Sequence, residues 1–150
     1  MEPSPKFLLK CWLSRERPAP GRHRSIVPQR VSLVVDDEPA IRHYIAAILR
    51  RADFQIIEAE DGIRALGVVQ EIDGRIDLIV SDIRMPNGDG LSFACKVKKQ
   101  FPNLPIILIS GTDEGSSEFE GFISKPFGPA ELLRAVEEVV AGAAESSPVS

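Results

Sequence analysis

From residue 31 onward the chain alternates between short apolar runs and segments whose apolar side chains recur at helical spacing. Residues 31–36 (VSLVVD) form an apolar run that ends in acid. Residues 39–51 place Ile41, Ile45, Ile48 and Leu49 on one helix face. Residues 54–59 (FQIIEA) read as a strand, and residues 62–72 repeat the helical stripe through Ile63, Leu66, Val69 and Ile72. Residues 76–82 (IDLIVSD) are again strand-like and again end in acid. After the turn MPNGDG, the spacing predicts a helix over 91–101 with Leu91, Ala94, Val97 and Phe101 inward. Residues 104–110 (LPIILIS) predict a fourth strand and 121–124 a short fifth. Residues 131–140 predict a last helix with Leu132, Leu133, Val136 and Val140 inward. Near-continuous Val/Ile/Leu strands with helices between them predict an α/β fold with a parallel sheet covered on both faces. Right-handed crossovers make that sheet doubly wound. Ligands of such sheets bind beyond the carboxyl ends of the strands. That rule singles out Asp36, Asp37, Asp82, Ser110 and, just after the fifth strand, Lys125.

Residues 1–30 break the alternation. They carry five prolines and seven basic side chains against two acids, Glu2 and Glu16, so this segment is net +5 and the remainder net −9. With no sustained period, it is expected to be a flexible arm capable at most of weak, salt-sensitive contact with an anionic partner. The apolar stretch 7–13 is interrupted by Lys10 and lacks a small-residue cleavage pattern, so it does not read as a signal peptide. Residues 31–141 are expected to form the folded domain and 142–150 a frayed end. Over all 150 residues, 43% are hydrophobic and 27% charged, enough for one core. No apolar run approaches the ~20 residues of a membrane-spanning helix. Cys11 and Cys95 are too few for a disulfide framework or a cysteine-rich zinc site. The overall charge of −4 and the absence of a helix-turn-helix pattern argue against direct DNA binding.

The strand-end carboxylates carry the chemistry. Two bare carboxylates about 4 Å apart repel by roughly 4 kcal/mol at an effective dielectric near 20. A site that gathers Asp36, Asp37 and Asp82 therefore needs a proton or a cation among them. Hard oxygen ligands without His or Cys favour Mg²⁺. Mg²⁺ prefers a few carboxylates, water and a phosphate oxygen, which suggests phosphoryl chemistry. Lys125 supplies a point charge for a phosphate and Ser110 a hydroxyl. An aspartate nucleophile, a divalent ion, a lysine and a hydroxyl suffice to transfer a phosphoryl group onto a carboxylate.

The strings VVDDE, SDIRMPNGDG, ILISG and FISKPF, in this order and spacing, resemble the receiver domain of two-component response regulators over about residues 31–141. The resemblance implies a five-stranded sheet in flavodoxin-like order 2-1-3-4-5. It implies Asp82 as phosphoacceptor, and Asp36 and Asp37 as the acidic pair that holds Mg²⁺ together with Asp82 and the backbone carbonyl of Arg84. It further implies Lys125 as the phosphate contact, Ser110 and Phe122 as switch residues, and a cis Lys125–Pro126 bond. A sensor histidine kinase or a histidine phosphotransfer protein would be the partner, and the location cytoplasmic. One departure stands out: only 11 residues separate Ser110 from Phe122, where the family places a fourth helix. Phe119 is the only large apolar residue among them, which predicts a loop or a single turn in that helix's place. Such short versions resemble receivers attached to hybrid sensor kinases or working in relays, and with no output domain visible the chain is expected to be a single-domain regulator.

Blander roles exist for each residue. Asp36 and Asp37 could only cap the first helix, Asp89 suits a turn and a helix cap, Ser110 could be a plain strand-end serine, and Phe122 could be core. His43 fits a surface role, and Arg50, Arg51, Lys96, Lys98 and Lys99 fit solvated helix faces. Two further function classes remain: a phosphorylation-independent binding module, and a Mg²⁺-dependent phosphatase. The complete set of site residues argues against the first, and the lack of room for a substrate cap argues against the second. A receiver is expected to catalyse only its own phosphorylation and dephosphorylation, and is not otherwise an enzyme.

Overall fold

A computed structural model describes residues 30–85, 89–111 and 119–146, with side chains up to 142. The elements are β1 (Arg30–Val35), α1 (Pro39–Arg51), β2 (Phe54–Ala59), α2 (Gly62–Glu71), β3 (Leu78–Asp82), α3 (Gly90–Gln100), β4 (Ile106–Ser110), β5 (Gly121–Ser124) and α4 (Pro129–Ser146). The five strands form one parallel sheet in the order β2-β1-β3-β4-β5. This is the doubly wound, flavodoxin-like arrangement. Four helices occur among the described residues.

The strands are apolar at nearly every position because both faces are covered. Leu33, Val35, Ile79, Ile106 and Leu108 face one core with Ala65 and Val69 of α2 and Phe93, Ala94 and Val97 of α3. Val34, Leu78, Val80, Ile107 and Ile109 face the other, with Ile45, Ile48 and Leu49 of α1 and Leu132, Val136 and Val139 of α4. Adjacent residues in a strand point to opposite faces, so each strand supplies both cores.

Two local expectations change. Ile63, placed on the inward stripe of α2, is 69% exposed. The buried stripe runs instead through Gly62, Ala65 and Val69 to Ile72. Helical geometry puts Ile63 about 100° away from Gly62, so burying Gly62, Ala65 and Val69 turns Ile63 outward. At the other end, α4 continues past Val140 to Ser146, through Ala141, Ala143 and Ala144. Alanine sustains a helix without contributing an apolar stripe.

The predicted loop or turn in place of the family's fourth helix falls mostly on residues 112–118, which lie outside the described residues. The described end of this connection is tied down. Lys98 of α3 pairs with Glu120 and donates to the Leu104 carbonyl at 2.8 Å. The other Glu120 carboxylate oxygen accepts the Ile106 amide proton at 3.1 Å. The residue that leads into β5 is thereby fixed to the start of β4.

Candidate functional site

The parallel register sets the rim. Val35 of β1 is level with Ser81 of β3, so Asp36 follows β1 at the height of Asp82. Asp82 is level with Ile109, one residue before Ser110, and Ser110 is level with Ser124, one residue before Lys125. The Lys125 amide donates to the Ser110 carbonyl at 2.9 Å, which ties the two strand ends together. The Lys125–Pro126 bond is cis. The register brings the acidic residues, Ser110 and Lys125 to the same end of the sheet.

Asp36 is held from three sides. Its amide donates to the Ala59 carbonyl at 3.2 Å, its carbonyl accepts from Arg42 Nη1 at 2.8 Å, and its Oδ1 accepts the Glu38 amide proton at 2.9 Å. Its Oδ2 is buried with no hydrogen-bond partner. The N-cap position of α1 is Glu38, with no side-chain cap bond, and Pro39 opens the helix. Capping therefore does not account for the acidic pair. Carboxylate oxygens of Asp36, Asp37 and Asp82 lie within 4.8 Å of one another, with Asp36 and Asp82 buried and Asp37 exposed. Lys125 Nζ stands 3.5 Å from Asp82 Oδ2.

Electrostatics follow from this crowding. Burial pushes the Asp36 carboxyl up to about 6; the Glu38 amide pulls it back, and Asp82 adds to the rise. Burial also raises Asp82, opposed by Lys125 and by a hydrogen bond from the Arg84 backbone amide. An orphaned buried oxygen beside two further carboxylates is a site that a hard cation would complete. The three oxygen donors, with neither His nor Cys, suit Mg²⁺.

Ser110 is buried at the end of β4. Phe122, level with Leu108, is half-buried and packs against the core beneath α2 and α3. Arg84 is exposed just beyond β3. Asp89 caps α3, its Oδ1 accepting from the Leu91 amide at 3.1 Å. His43 lies on the outer side of α1, 3.4 Å from Glu58.

Three contributors escape a sequence reading. Arg42 and Glu58, paired at 2.9 Å, stand behind Asp36. Gly90 brings the start of α3 so close to β3 that a Cβ there would lie 1.9 Å from the Asp82 carbonyl oxygen. The only sequence signal for the last is the glycine pair in NGDG; the arginine and glutamate have none.

Comparison with known proteins agrees with this geometry. Residues 32–137 match the response regulator receiver domain. The chain is 33% identical over 122 residues to the transcriptional regulatory protein ResD of Bacillus subtilis, covering 77% of this chain and 50% of that protein. It is 32% identical over 116 residues to the sensor kinase CckA of Brucella abortus, covering 72% of this chain and 12% of that one. The chain thus spans half or less of the length of these relatives. Among solved structures, a CheY-like receiver domain protein from Methanospirillum hungatei superposes with a TM-score of 0.72 at 22% identity, covering 80% of this chain and all of that one. The response regulator TrrA of Thermotoga maritima, solved in complex with Mg(2+)-BeF, superposes with a TM-score of 0.67 at 31% identity, covering 74% and 99%. The matched span takes in β1 from Ser32, the other four strands and every rim residue described above, and the chain belongs to the response regulator receiver domain family of two-component signalling.

Proposed function

We propose that this receiver takes a phosphoryl group onto Asp82 from a phosphohistidine of a sensor histidine kinase or a histidine phosphotransfer protein. The observation that carries the reading is the gathering of three carboxylates within 4.8 Å, with Lys125 Nζ 3.5 Å from Asp82 Oδ2. An Asp82 carboxylate oxygen attacks phosphorus, the phosphorus–nitrogen bond of the donor breaks, and the imidazole leaves. Lys125 holds a phosphoryl oxygen by charge. Asp36, Asp37, Asp82 and the Arg84 carbonyl would hold Mg²⁺, which supplies charge neutralisation for the phosphoryl oxygens.

Phosphorylation adds negative charge and three acceptor oxygens at the rim. The Ser110 hydroxyl turns to donate to one of them, and the half-buried Phe122 on the adjacent strand repacks, which carries the change outward. On this reading the chain catalyses only its own aspartyl phosphorylation and dephosphorylation. α1 and the loops around the pocket form the face presented to the kinase.

Incubation of the full chain with acetyl phosphate tests the proposal. Intact-mass analysis should show one added phosphoryl group that requires Mg²⁺ and is absent in Asp82→Asn. Labelling that persists in Asp82→Asn, or its absence in the native chain with Mg²⁺ present, overturns it. Turnover of a simple phosphate ester would instead favour a phosphatase.

A further inference from the structure

Behind the acidic pair lies a charged cluster that the phosphoryl reading leaves unused. Arg42 on α1 spans two oxygens: Nη1 donates to the Asp36 carbonyl at 2.8 Å and Nε donates to Glu58 Oε1 at 2.9 Å. Glu58 lies on β2, level with Val34 of β1. His43 and Arg50 also approach Glu58, at 3.4 and 3.8 Å, but both are largely exposed, whereas the Arg42 side chain is only 14% exposed. Arg42 is thus the most sheltered link between Glu58 and the backbone that carries the acidic pair.

We propose that Arg42, held by Glu58, is the positioning residue of the acidic pair: it fixes the Asp36 peptide so that its carboxylate stays gathered with those of Asp37 and Asp82. The inference rests on the proposed Mg²⁺ site. The planar guanidinium fork suits this task because its donors diverge at fixed angles, so one side chain orients two acceptors at once. With the carbonyl pinned by Arg42, the amide by Ala59 and Oδ1 by Glu38, the direction of Oδ2 is the only one left. Partners that orient ligands in this way commonly change metal affinity by roughly 10- to 100-fold when removed.

Charge and positioning predict opposite signs. Arg42 is a cation near a cation site, so its removal would tighten Mg²⁺ binding if its charge alone mattered. If it positions Asp36, its removal weakens binding. Isothermal titration of Mg²⁺ into the full metal-free chain, with circular dichroism to verify folding, reads the sign. Arg42→Met should raise the Kd roughly tenfold. Arg42→Lys, which keeps the charge but not the fork, should weaken binding in the same direction and decides the matter if Arg42→Met does not fold. Arg50→Met, which removes a cation from Glu58 without touching Asp36, should leave Kd within about twofold. Unchanged or tighter binding in a folded Arg42 variant overturns the positioning role while leaving the Mg²⁺ site standing. Failure of the native chain to bind Mg²⁺ overturns both.

Discussion

An aspartate in water gives up its proton near pH 4; Asp36 keeps its proton up to about 6 because burial and the neighbouring Asp82 disfavour its charge. Between 3.8 and about 6 the folded protein therefore holds a proton that the unfolded chain has released. The contribution of this group to stability is full below the unfolded value and is lost as pH rises through about 6. Asp82 is shifted in the same direction. It follows that the metal-free receiver is weakened by its own site at neutral pH, and a divalent cation in the proposed site would offset that loss. In metal-free buffer, Asp36→Asn should melt progressively higher relative to the native chain as pH rises from about 5 to about 7.5. Added Mg²⁺ should raise the native melting temperature at the upper pH and do little at the lower one, where Asp36 is protonated. Scanning calorimetry across pH, with and without Mg²⁺, measures both effects. A melting difference between variant and native chain that is flat across this range would show that Asp36 does not titrate there.

Among the elements, the start of α3 comes hard against the end of β3 at Asp82. The Gly90 amide donates to the Ile83 carbonyl at 2.8 Å, and the missing Cβ makes room for the Asp82 carbonyl. Gly90→Ala must push the helix start or the strand end aside, at a cost of about 1–3 kcal/mol measured by urea unfolding. Because Asp82 ends that strand, its labelling by acetyl phosphate should slow as well. Asp89→Ala loses only a cap, about 1 kcal/mol, and should label normally. The strands were legible in the sequence because burial on both faces leaves unbroken runs such as IILIS, and the site acids because they terminate those runs. Helix α1 was legible to its bounds for a similar reason: Pro39 opens it and Ile45, Ile48 and Leu49 repeat along it. Other features were set by tertiary contact. The rotation of α2 that buries Gly62 and Ala65 and turns Ile63 outward is set by its docking on the sheet. The pairing of Arg42 with Glu58 joins residues 16 apart on different elements, and no local pattern encodes it. The approach of Gly90 to Asp82 likewise appears only once α3 is docked.

At the scale of the whole molecule, the proposed function asks the rim to combine a reaction site with a face for a partner, and the two can be separated by experiment. Tyr44 of α1 is 41% exposed and leans on Phe127, with ring centroids 5.9 Å apart. Phe127 follows Lys125 by two residues, just past the cis bond, so this aromatic pair borders the pocket. An amphipathic aromatic side chain at the edge of a reaction site is the kind of residue that dominates the affinity of a protein contact. If α1 faces the kinase, Tyr44→Ala should slow phosphoryl transfer from a phosphohistidine protein by roughly tenfold, about 1.4 kcal/mol of lost contact. Transfer from acetyl phosphate needs no protein contact and should be unchanged. Equal slowing with both donors would mean that the substitution disturbs Lys125 through Phe127, and that the partner docks elsewhere. Crosslinking of the kinase to α4 in place of α1 would move the face in the same way. The comparison works because both donors need the same attack by Asp82 on phosphorus beside Lys125, while only the protein donor must also touch the α1 surface.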